Sequence, residues 1–216
     1  MKPVRAVARV VRVALMVTLL FGAVRAQELV VDRMVAVVNS EIVTQSDVRA
    51  ARRLVLVPFV SSMDDEALLT QLIERRLMLA EVARYSPAEP TVEQVAAKRV
   101  NWGASLPAGA DVSSLLAGAG LREAALNTWL RDDLRIAAYL DQRFTAAAQP
   151  TRDQALAYFL DHEADFAVAG TTPAFLTVEV EVRRRVAAER RASRIREWIE
   201  SLKQRAEIRR LPKLAN

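Results

Sequence analysis

Cysteine is absent from the 216 residues, histidine occurs once, glycine six times, and aromatic residues make up 6%. Each shortage closes a class of protein. Without cysteine there is neither a disulfide framework nor lipidation of a mature N-terminal cysteine. One histidine and no thiolate make a zinc site a poor prospect, and no metal or cofactor is predicted. Few glycines beside abundant Ala, Val and Leu favour helices over a β-sandwich or barrel. Gly118-Ala119-Gly120 lacks the strand before it and the spacing after it that a phosphate-cradling loop needs. No serine stands in a nucleophile-elbow context. His162 falls near a helix C-terminus, where its charge suits the helix dipole. Asp64-Asp65 reads as a helix start and Asp132-Asp133 as a solvated face, not as acid–base dyads. No catalytic residue is predicted.

Long apolar runs are also missing. The run over 13–24 is shorter than the roughly 20 residues that span a bilayer. Preceded by Lys2, Arg5, Arg9 and Arg12 and ending at Val24-Arg25-Ala26, it reads as a secretory signal peptide over 1–26. Cleavage near Ala26 predicts an exported chain starting near Gln27, with no stable membrane insertion. Five of the 31 basic residues lie in that segment and no acidic ones do, which leaves 26 of each sign. The pI near 10.1 is therefore not a nucleic-acid signal. Residues 27–182 hold 14 Lys/Arg against 22 Asp/Glu, and residues 183–216 hold 12 against 4. An acidic body with a basic tail of matching charge predicts a tail that folds back.

VAVVNSEIVT (35–44) has the β-branched runs and central Asn-Ser of a hairpin, and EIRRL (207–211) alternates as a strand before Pro212. Helical patterns fill the interval. Thr44 with Asp47, Thr91 with Gln94, and Thr151 with Gln154 have capping-box spacing, and Asp64 opens a strong helix over 64–85. Leu69, Leu72, Ile73, Leu77 and Ala80 give that helix one apolar stripe. A longer helix is predicted over 122–147, buried through Leu126, Trp129, Leu130, Leu134, Ala137, Leu140 and Phe144, and a last one over 178–205. A lone hairpin is marginal in water. The closing strand 208–211 is therefore expected to add to it, with helices covering one face.

VDRMVAVVNSEIVTQSDV after a signal peptide resembles the opening of the SurA-type periplasmic chaperones. LLTQLIERRLMLAEVARY resembles that family's second helix and LNTWLRDDLRIAAYLDQRF its long helix. The resemblance implies a mainly α SurA/trigger-factor-like peptide-binding domain, with a small β-hairpin closed by a C-terminal strand. It implies a chaperone domain over 27–163, a linker over 164–175, and a C-terminal helix and strand over 176–216 packing back on it. Many relatives carry a parvulin prolyl isomerase domain where this chain has only ADFAVAGTTPAF, far short of the roughly 90–100 residues such a domain needs. The family often starts its long helix with Ser or Thr; Leu121-Arg122 stands there instead, which predicts a weaker cap.

The implied activity is a periplasmic, non-catalytic chaperone for unfolded polypeptides, outer-membrane proteins among them, without nucleic acid as a partner. Such a protein needs an apolar surface that tolerates many sequences. Val57, Phe59, Val60 and Met63 in one loop and Trp102 and Leu106 in another are the peptide-binding candidates; the alternative is that they plug the ends of the core. Rival readings are an isomerase relative with vestigial activity, and an envelope structural protein that self-associates through its C-terminal helix.

Overall fold

The computed structural model describes residues 32–58, 63–168 and 170–212; the segment read as a signal peptide lies outside the described residues. The sheet consists of β1 (Met34–Val38), β2 (Glu41–Thr44) and β3 (Ile208–Arg210), antiparallel in the order β2-β1-β3. Val38 pairs with Glu41, so Asn39-Ser40 makes the turn. Asn39 takes φ 54, a left-handed conformation that asparagine tolerates better than most residues. Period-two alternation sends Ala36, Val38 and Val43 into the core.

The closing strand pairs as expected. Ala36, Val37 and Val38 face Arg210, Arg209 and Ile208. The Asn39 amide donates to the Glu207 carbonyl at 2.7 Å, and the Glu207 amide donates to Asn39 Oδ1 at 3.1 Å. Beyond the strand, the Leu211 amide donates to the Val35 carbonyl at 2.9 Å and Arg33 Nη2 to the Pro212 carbonyl at 2.7 Å. Both ends of the described chain are fastened to one strand.

Seven α-helices occur among the described residues: α1 (Gln45–Arg53), α2 (Asp65–Tyr85), α3 (Val92–Ala104), α4 (Val112–Gly118), α5 (Glu123–Phe144), α6 (Arg152–Asp161) and α7 (Phe175–Arg205). Complete capping boxes start α1, α3 and α6 at Thr44, Thr91 and Thr151, and Asp64 caps α2. Each satisfies amide groups that a helix start otherwise leaves orphaned. Arg122, before α5, makes no side-chain cap.

Helix α2 runs through the centre, with Leu68, Leu72, Ile73, Leu77 and Val82 buried. It touches the sheet, α1, α5 and α7. Each such aliphatic side chain contributes about 1.5–3 kcal/mol when fully withdrawn from water. Trp198 and Leu202 of α7 join this core, Trp198 meeting Tyr139 at 5.5 Å and Phe144 at 5.7 Å. A second, smaller core holds Ala155, Phe159, Phe166, Val182 and Val186, with Phe175 and Val178 against it. These contacts start α7 at Phe175 rather than near 178, since packing overrides a missing cap. The stretch read as a linker holds part of the 3-10 turn Glu163–Phe166.

Candidate binding cleft

Helix α1 ends in an unusual way. The Val55 amide donates to the Arg52 carbonyl (3.4 Å) and the Leu56 amide to the Ala51 carbonyl (3.0 Å). These are the two bonds of a Schellman stop, whose left-handed residue is usually glycine. Here it is Val55, at φ 49. A β-branched residue in that region is strained by roughly 1–2 kcal/mol.

From that stop, Leu56-Val57-Pro58 forms a strap held by two indoles. Trp102 Nε1, from α3, donates to the Leu54 carbonyl at 2.7 Å; Trp129 Nε1, from α5, donates to the Leu56 carbonyl at 3.2 Å. A hollow of about 440 Å³ is lined by Met78, Ile136, Ala137 and Leu140, among others. Another of about 430 Å³ is lined by Asn101, Trp102, Ser105 and Trp129. Leu56, Val57, Pro58, Lys98 and Asp133 line both, so the two hollows are lobes of one cleft. Each lobe falls within the roughly 300–1,000 Å³ of ligand sites.

Arg75 lies in the first lobe and is only 6% exposed. Its guanidinium stacks 3.7 Å from the Trp129 ring centre, and Nη2 donates to the Trp129 carbonyl and to Asp133 Oδ1, both at 2.9 Å. Lys98 Nζ stands 4.0 Å from Asp133 Oδ2. Burial pushes the Arg75 guanidinium down and the Asp133 carboxyl up from their ordinary values, while attraction between the two opposes both shifts. Two residues lining this lobe each carry a buried polar atom with no hydrogen-bond partner among the described residues, Arg75 Nε and Gln71 Oε1. The Gln71 amide nitrogen donates to Met63 Sδ at 3.4 Å, and a thioether is a weak acceptor.

The sequence candidates are distributed unevenly. Val57 lines both lobes and Trp102 one, but both are buried, at 7% exposure each. Leu106 is buried in the main core and lines neither lobe. All three are buried, as in the alternative that they plug the ends of the core, and the indole of Trp102 turns inward to the Leu54 carbonyl at the end of α1. Met63 is half-buried, and Phe59 and Val60 lie outside the described residues. Asp133, read as solvated, instead neutralises Arg75 across 58 positions of chain. Arg75, Met78, Trp129, Ile136 and Leu140 were not singled out as site residues. Arg75 carries a local signal, a charge three residues after Leu72 on the apolar stripe of α2.

No family model and no curated protein matches the chain. Among solved structures it is similar to one from Campylobacter jejuni, described with the virulence factor PEB4 and the periplasmic protein Cj1289 as two structurally related SurA-like chaperones. The likeness covers 84% of this chain and 100% of that one, with 12% identity and a TM-score of 0.55. The fold is mainly helical and SurA-like. Among the described residues, no helix is long and apolar enough to cross a membrane.

Proposed function

We propose that the protein is an exported, periplasmic chaperone that holds unfolded envelope polypeptides, including outer-membrane proteins, without catalysing a reaction on them. One observation carries this reading: an open, largely apolar two-lobed cleft on a SurA-like fold, lined in both lobes by a strap that two tryptophans hold in place. Apolar contact is non-directional, so such a cleft accepts many sequences. Met78, Trp129 and Leu140 are only half-buried, and a methionine adapts to differently shaped partners. Val57 and Trp102 form part of its wall; Phe59, Val60 and Met63 are proposed as further peptide-binding residues, and Leu106 to support this region from the core. The short connection between α6 and α7 supports a chaperone without an isomerase domain. A signal peptide cut near Ala26 would deliver it to the periplasm.

The test combines Met78→Gln with Leu140→Gln and measures light scattering of a chemically unfolded outer-membrane protein diluted into buffer. The double variant is expected to lose most of its suppression of aggregation, about thirtyfold in the concentration needed, since each substitution removes apolar contact of about 1 kcal/mol. Its melting temperature should change by only a few degrees. Undiminished suppression by a folded variant would refute the cleft as the client site.

A further inference from the structure

Helix α3 lines the cleft with Lys98, Asn101 and Trp102, at the i, i+3 and i+4 spacing that sets side chains on one helix face. Trp102 is committed to the strap, but the other two are reachable from solvent. The Lys98 side chain is 40% exposed and lines both lobes; its Nζ stands 4.0 Å from Asp133, beyond hydrogen-bond reach. Asn101 is exposed, and its side chain has no hydrogen-bond partner among the described residues. An ammonium carries three N–H donors and a carboxamide two. The place where the lobes join therefore offers donors that the chain itself leaves unfilled. The neighbouring charges set the sign. Asp133 Oδ1 already takes Arg75 Nη2 at 2.9 Å, so one carboxylate serves two cations. Glu74, also in the first lobe, is matched by Lys203 at 2.7 Å. One positive charge is left over, and Lys98 is the member of its cluster that solvent reaches best, since the Arg75 and Asp133 side chains are 7% and 26% exposed.

Resting on the chaperone reading above, we infer that the cleft favours client segments in which an acidic side chain stands between apolar ones. The carboxylate meets Lys98 Nζ and the Asn101 amide, and its neighbours in the client fill the two lobes. The ligand class is therefore a polypeptide segment both acidic and apolar, and a basic segment of equal apolarity is a poor substitute. An acidic side chain within the segment fits better than a chain end, because Lys98 is shared by both lobes and so leaves apolar wall for the residues before and after it. The ammonium sits on a flexible four-carbon stem, so it can follow carboxylates placed a little differently from one client to the next.

The experiment measures binding of fluorescein-labelled peptides, amidated at the C-terminus, to the full protein by anisotropy. Three peptides share two leucines and a serine on each side of a central residue, which is aspartate, asparagine or lysine. The aspartate peptide is expected to bind about fivefold more tightly than the asparagine one, the scale of one well-placed charge pair, and the lysine peptide most weakly. The aspartate-to-asparagine ratio should fall to about one in Lys98→Met, and also at about 1 M salt, where screening acts over roughly 3 Å. Lys98→Arg should keep it. Aspartate and asparagine peptides that bind alike would overturn the inference and leave the apolar cleft standing; so would a preference that survives Lys98→Met. An asparagine peptide whose binding is unaffected by Met78→Gln with Leu140→Gln would overturn the cleft reading and this inference with it. Because the three peptides are first compared on the unaltered protein, a poorly folding Lys98 variant does not spoil the test.

Discussion

Single residues in this protein are fixed by partners near and far, and the two kinds respond differently to change. Val55 holds a left-handed position where glycine is usual, yet its side chain is half-buried and lines the cleft. Val55→Gly is expected to shift stability by no more than about 1 kcal/mol, since relief of strain offsets lost burial. Leu54→Ala, one residue earlier at a fully buried site, should cost about 2–5 kcal/mol. Urea denaturation of both variants measures the contrast. Asp32 meets a desolvation penalty, but hydrogen bonds led by the Ser46 hydroxyl hold its carboxyl below the usual aspartate value. A depressed folded value means the unfolded chain binds the proton more readily, so the stabilisation exists above the unfolded pKa and is lost as pH falls through the folded one. Melting curves from neutral to acidic pH should therefore fall less steeply for Asp32→Asn. The capping threonines were legible in the sequence because their partners lie three positions away. The Arg75–Asp133 pair was not, because nothing local distinguishes a carboxylate facing water from one facing a helix across the core.

At the scale of elements, the helices were legible from periodicity and the last strand from alternation, while the helix ends drifted wherever a distant contact decided them. Phe175 belongs to α7 because the small core receives it, and Trp102 is inward because α1 ends beneath it. The cleft was harder to see. Its walls come from α2, α3, α5 and the strap, and no segment shows alone that a hollow forms where they meet. The hairpin turn gives a direct test of the closing strand. Asn39→Gly keeps the left-handed backbone but removes the acceptor for the Glu207 amide, and should cost about 0.5–1.5 kcal/mol. Asn39→Ala adds backbone strain and should cost more; equilibrium unfolding ranks the two.

For the whole molecule, the equal and opposite charges of body and tail are only partly spent on each other. Lys203 meets Glu74 at 2.7 Å and Arg210 meets Glu66, joining the tail to α2. Arg184 pairs within α7 itself, and Arg185 reaches Asp165 beside the small core. Exposed pairs of this kind are worth about 0–1 kcal/mol each. Raising salt to about 1 M, where screening acts over roughly 3 Å, should therefore lower the melting temperature by only a few degrees. A collapse under salt would mean that charge, not Trp198 and Leu202, seats α7.

The middle strand of the sheet comes from residues 34–38, and one of its two flanks is not made until residue 210. A polypeptide emerging from its N-terminal end thus waits through some 170 residues for that edge to be covered, and closing so long a loop is slow. Until then β1 presents a bare row of amides and carbonyls, the feature that invites pairing with a stranger. The protein would thus pass through an unfinished state of its own, ended by the arrival of its last strand.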